Sequence, residues 1–168
     1  MGTWDTIRNT IAEEFAGLDD VEQLTRLVVR LGLAALLGGL LGLQRERSGK
    51  EAGIRTHMLV AAGSALVVFV PLQAGMDAEG LSRVLQGLLA GVGFLCAGSI
   101  LKLPTEEHVR GLTTAAGIWM TSAIGMAAGL GREVTAVVAT LLVLGILNLI
   151  GPMRRLGLRR DVPPRKSD

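Results

Sequence analysis

The sequence predicts an all-α membrane protein: a polytopic bundle of about five transmembrane helices, preceded by an amphipathic N-terminal helix. Three observations predict it. Mean hydropathy is +0.47. Long uncharged stretches alternate with short charged knots, and the basic residues gather in alternate knots. Charges confined in this way mark where a chain leaves the bilayer.

Residues 1–20 form the first unit. Trp4, Ile7, Ile11, Phe15 and Leu18 recur at helical spacing, while Asp5, Glu13, Glu14, Asp19 and Asp20 face a lone Arg8. A secretory signal needs a basic start, which this segment lacks. The pattern predicts a helix that packs on the bundle surface; a helix lying on the membrane is the competing reading. Asp19 with Glu22 resembles a capping box for the helix that follows.

Residues 21–152 form the second unit, with spans at about 22–43, 56–76, 84–103, 112–130 and 134–152, each near the roughly 20 residues a crossing helix needs. The first span carries Arg26 and Arg30. Arg30 lies close enough to the end to snorkel to the interface, with a buried arginine as the alternative. Residues 153–168 form a basic tail.

Arg8, Arg26, Arg83 and Arg132 fall on one side of the membrane in this scheme. Arg45, Arg47, Lys50, Arg55, Lys102, Arg110 and the six basic residues of the tail fall on the other. Basic loops stay in the cytoplasm, so the N-terminus is expected outside and the C-terminus inside.

Gly38 and Gly42, Gly87 and Gly91, and Gly125 and Gly129 are spaced four apart. Such pairs let helix backbones approach closely, and they are read as packing faces. Two stretches, GIRTHMLVAAGSA from Gly53 and GLTTAAGIWMTSA from Gly111, resemble each other and hint at a parallel repeat.

The densest polar cluster runs from Gln44, Arg45 and Glu46 to Arg55, Thr56 and His57. It reads either as a set of membrane anchors or as a cytoplasmic-side site for an ion, a lipid phosphate or a protein. In the sharper reading Arg55 pairs with Glu46, and Thr56 and His57 complete a polar pocket under Thr113 and Thr114. Glu106, Glu107 and His108 do not have the spacing of converging metal ligands. They read as solvated charges behind a Thr105 cap, although one carboxylate could touch a hydrated Mg²⁺. No metal site, cofactor or enzyme signature is expected. One cysteine, Cys96, excludes an internal disulfide, and the few aromatic residues argue against nucleic-acid binding.

Three blocks carry a resemblance. GLQRERSGKEAGIRTHMLVAAGSALVV (42–68), GVGFLCAGSIL (91–101) and VRGLTTAAGIWMTSAIGMAAGLG (109–131) are similar to the MgtC/SapB family of bacterial inner-membrane proteins. The matching positions are Arg45, Glu46, Gly53, Arg55, Thr56, His57, Gly93, Gly98, Gly111, Thr113 and Thr114. The resemblance implies a four- or five-span domain with a cytoplasmic tail. It also implies a part in survival at low magnesium and inside host cells, as a virulence factor that inhibits the F-type ATP synthase. Larger members carry a soluble ACT-like domain after the last span, which this sequence is expected to lack. Cys96 and Gln44 stand where the family more often has glycine and glutamate. The expected function is therefore non-enzymatic regulation through contacts with other membrane proteins or a second copy, within the lipid bilayer. A Mg²⁺ or other cation transporter is the alternative, against which stands the lack of a mid-span carboxylate.

Overall fold

A computed structural model describes residues 2–14, 20–100 and 110–155, with the side chains of 150–155 excepted. The described residues are all helical or connecting: α1 (Thr3–Glu14), α2 (Val21–Arg47), α3 (Ile54–Gln73), α4 (Ala78–Gly98), α5 (Leu112–Gly129) and α6 (Glu133–Arg155). The segment holding Glu106, Glu107 and His108, and the tail from 156, lie outside the described residues.

α1 buries none of its residues, and Trp4 is 82% exposed. Of the expected apolar face, Trp4, Ile7 and Ile11 are thus exposed, and Phe15 and Leu18 lie outside the described residues. α2 starts one residue later than the capping-box reading. Asp20 is the cap and accepts the Gln23 N–H at 3.0 Å, while Glu22 pairs with Arg26 one turn along.

The larger correction is at the other end of α2. Charge suggested that the helix stops near residue 43, yet it continues through Gln44, Arg45, Glu46 and Arg47. Arg45 is buried and bonded to a neighbouring helix, so its charge does not bring the chain out of the bundle. Gly49 ends the turn with φ of 65°. α4 likewise begins before its expected edge, because Asp77 caps it by accepting the Gly80 N–H at 2.8 Å.

α5 is the centre of the bundle. It packs against α2, α3, α4 and α6, and most of its length from Thr114 to Gly129 is buried. α3 runs parallel to it in register: Ser64 and Ser122, at equivalent places in the two similar stretches, share a hydroxyl hydrogen bond of 2.8 Å. Their backbones touch where α5 has glycine. A Cβ on Gly125 would lie 2.2 Å from Ala61 O, and one on Gly129 would lie 2.5 Å from Ala65 O. α2 and α3 are antiparallel and equally close, with the Gly38 and Gly42 positions each 2.5 Å from α3 backbone atoms.

The glycines of α4 behave differently. Gly87, Gly91, Gly93 and Gly98 have nothing within 4 Å of a would-be Cβ among the described residues. They were expected to pack, and among the described residues nothing meets them. Only Val92 and Cys96 of α4 are buried.

α2, α3 and α4 are long and apolar enough to cross a membrane, and the described apolar stretch of α6, Glu133–Leu149, is shorter. α5 is not in that set. Thr114, Thr121, Ser122, Gly117, Gly125 and Gly129 of α5 are buried and face protein rather than lipid.

Candidate functional site

The ends of α2, α4 and α6 meet the starts of α3 and α5 at one pole of the bundle. Arg45, two residues before the end of α2, turns inward. Its guanidinium Nη2 donates to Thr114 Oγ1 of α5 at 3.0 Å, and the residue is 3% exposed. His57, on the first turn of α3, is 1% exposed. Its Nδ1 lies 3.0 Å from Gly53 O of the preceding turn. A carbonyl can only accept, so Nδ1 carries the hydrogen.

Glu46 does not meet Arg55. Its carboxylate lies over Gly53, with Oε2 accepting the Ile54 N–H at 3.5 Å, and so it caps the start of α3 from the neighbouring helix. Arg55 and Thr56 are exposed, and Arg55 forms no ion pair among the described residues. The expected Arg55–Glu46 clamp is thus corrected: the arginine that enters the bundle is Arg45. A helical step of 100° explains it. Arg55 follows Ile54 onto the outer face, whereas His57 returns to the inner one. Of the two threonines, Thr114 is buried and Thr113 exposed. The structure therefore brings together Arg45, His57 and Thr114, places Glu46 at their rim, and leaves Arg55, Thr56 and Thr113 outside.

Two participants were not placed at this site from the sequence, Asn148 and Gly117. Gln44 Nε2 donates to Asn148 Oδ1 at 3.3 Å, tying α2 to α6 beside Arg45. Gly117 forms the floor under Arg45 and His57, where no side chain intervenes. Neither carries a charge, so neither stood out.

The opposite pole has its own arginine. Arg30 donates through Nη1 to Gly129 O at 3.0 Å, lies 3.9 Å from Glu133 and sits 5.4 Å from the Phe69 ring centroid. It borders a cavity of about 490 Å³ lined also by Asp20, Glu22, Gln23, Arg26 and Gln73. Arg30 is thus held by groups at the α5–α6 connection, at the end of the bundle where α2 begins.

No group of three or more His, Cys, Asp or Glu able to hold a metal occurs among the described residues. The Arg45 pole instead holds a buried guanidinium with no ion-paired carboxylate among the described residues.

The sequence model of the MgtC family matches residues 31–156. The chain belongs to the MgtC family. Protein SrpB of Synechococcus elongatus is 44% identical over 146 residues, covering 80% of each chain. The putative magnesium transporter YhiD of Escherichia coli K12 is 42% identical over 131 residues, 72% of this chain and 60% of YhiD. Protein MgtC of Brucella abortus is 41% identical over 121 residues, 71% of this chain and 49% of that protein. The chain thus spans about half the length of this MgtC relative. No solved structure matches. The MgtC-family region contains Arg45, His57, Thr114, Gly117 and every glycine named above as a packing position, while Arg30 falls one residue outside it. This MgtC-family chain has membrane-type helices, with α2, α3 and α4 each long and apolar enough to cross a bilayer.

Proposed function

We propose that the protein is a non-enzymatic regulator of adaptation to low magnesium, acting through contacts with other membrane proteins and not by carrying the ion. The buried guanidinium of Arg45 carries this reading. It is a permanent positive charge at the meeting point of α2, α3 and α5, with no ion-paired carboxylate among the described residues. A divalent cation following the bundle axis would meet that charge, and the glycine-mediated contacts hold α2, α3 and α5 close together. α4 supplies a surface for contact: its glycines face outward, and Phe94 is 82% exposed.

In this reading the protein sits in the bacterial inner membrane, with the N-terminus outside and the Arg45 end and tail in the cytoplasm, as the basic-residue bias directs. By resemblance, the F-type ATP synthase is the first partner to probe, a second copy of the chain the next, and virulence inside a host the setting.

The name of the YhiD relative favours a second reading, magnesium transport. Flux decides between them. Purified protein in liposomes with an internal Mg²⁺ dye should take up no more Mg²⁺ than empty vesicles, and uptake above that level overturns the regulator. A photo-crosslinker at Phe94, but not at Leu141 on α6, should join the chain to a defined membrane protein. Labelling at neither position, or equally at both, opposes docking through α4.

A further inference from the structure

Two nitrogens at the Arg45 pole have no hydrogen-bond partner among the described residues: Arg45 Nε and His57 Nε2, both fully covered. They face one spot. A Cβ on Gly117 would lie 3.7 Å from His57 Nε2 and 3.9 Å from Arg45 Nε. α2, α3 and α5 therefore leave a small space beside Gly117 that both nitrogens border.

The field in this niche is positive from several sources. Thr114 is a neutral partner for Arg45 and does not balance its charge. α3 and α5 both begin here at glycines that supply no side-chain cap, so the positive ends of two helix dipoles add to the guanidinium. Glu46 is turned to the rim and engages Ile54 N–H.

We propose that the Arg45–His57–Gly117 niche binds one small inorganic anion of halide size and takes up one proton with it. The proton follows from hydrogen-bond roles. Nδ1–H of His57 donates to Gly53 O, so a neutral ring presents a lone pair at Nε2. A lone pair facing an anion repels it. Protonated, Nε2–H and Arg45 Nε–H become two donors bordering one space, and the anion offsets the added proton, so the net charge of the site is unchanged. A water molecule suits the neutral ring instead, accepting from Arg45 and donating to His57.

The other groups around His57 leave this assignment simple. α2 presents Arg45, with Glu46 at the rim; α5 has no ionisable side chain along its length. On α4 the Cys96 thiol donates to Ala115 O, and on α3 Arg55 is exposed. The proposal does not depend on the docking partner, and failure of either leaves the other standing.

The test is bromide titration of the thermal midpoint of the purified full chain, at constant ionic strength against gluconate. It is run at about pH 5 and about pH 8, on either side of the free imidazole value. Bromide should raise the midpoint at the lower pH. Its apparent affinity should fall about tenfold per pH unit once the imidazole loses its proton, as one-for-one linkage requires. Gly117→Ala should abolish the bromide effect and still fold, because its Cβ distances are ordinary contacts. A midpoint indifferent to bromide at both pH values overturns the proposal and gives the niche to water. A bromide effect that survives Gly117→Ala places the anion on the basic surface and overturns it equally. Bromide sensitivity found only after Glu106→Gln with Glu107→Gln would assign the counter-charge to a carboxylate, which also overturns it.

Discussion

Ser64 and Ser122 share a hydroxyl hydrogen bond 2.8 Å long between the two parallel helices at the heart of the bundle. Both are buried, and each sits the same distance after a glycine that starts its helix. The bond therefore reports the register of α3 on α5, the contact on which the Arg45 site rests.

Ser64→Ala leaves the Ser122 hydroxyl without its partner, whereas the double alanine variant leaves none behind. A double-mutant cycle in a detergent unfolding titration should return a coupling of about 0.5–1.5 kcal/mol, the range of hydrogen bonds between membrane helices. Strict additivity of the two single effects would show that the pair carries no energy.

Gly125→Ala should destabilise the fold by about 1–3 kcal/mol, since its Cβ must displace the backbone at Ala61 O, 2.2 Å away. Gly91→Ala, on α4, meets nothing within 4 Å and should be neutral or slightly stabilising. Equal thermal midpoints for the two variants would contradict the close approach of α3 and α5.

Arg30→Met removes the bond to Gly129 O, the approach to Glu133 and the contact with Phe69. The loss should be about 1.5–3 kcal/mol, typical of a charged hydrogen bond. Arg55→Ala should change stability by less than about 0.5 kcal/mol, as exposed substitutions do. Read by chemical denaturation, the reverse order would restore Arg55 as the structural arginine.

Cys96 is the sole cysteine, buried, with its thiol donating to Ala115 O at 3.2 Å. A maleimide should label the native protein in detergent far more slowly than the unfolded chain, with the rate following local opening of α4 from α5. Immediate labelling of the native protein would mean that this contact does not persist.

Hydropathy and glycine spacing reveal the helices and their order, because lipid imposes one rule on every span. They do not reveal which glycines meet a neighbour. Gly87 with Gly91 and Gly125 with Gly129 have the same spacing, but the first pair lies on an outer helix and the second on the central one. The same limit hides Arg45. In sequence it is one of four polar residues following an apolar run, and such a run ordinarily announces a loop. Only the facing Thr114, 69 positions away, turns it inward. Arg55 looks more membrane-proximal in the sequence, yet its place on the first turn of α3 points it outward. The similarity of the stretches from Gly53 and Gly111 was the one local signal of the α3–α5 register, and it was faint.

The shielded position of α5 bears on how the chain enters the bilayer. The buried threonines, serine and glycines of this segment find partners in neighbouring helices that lipid alone would not supply. It emerges from the ribosome after α2 and α3, which by then can offer the glycine-fitted surfaces that receive it. Its integration is therefore expected to depend on those earlier helices, and α5 presented alone to the insertion machinery should be retained poorly.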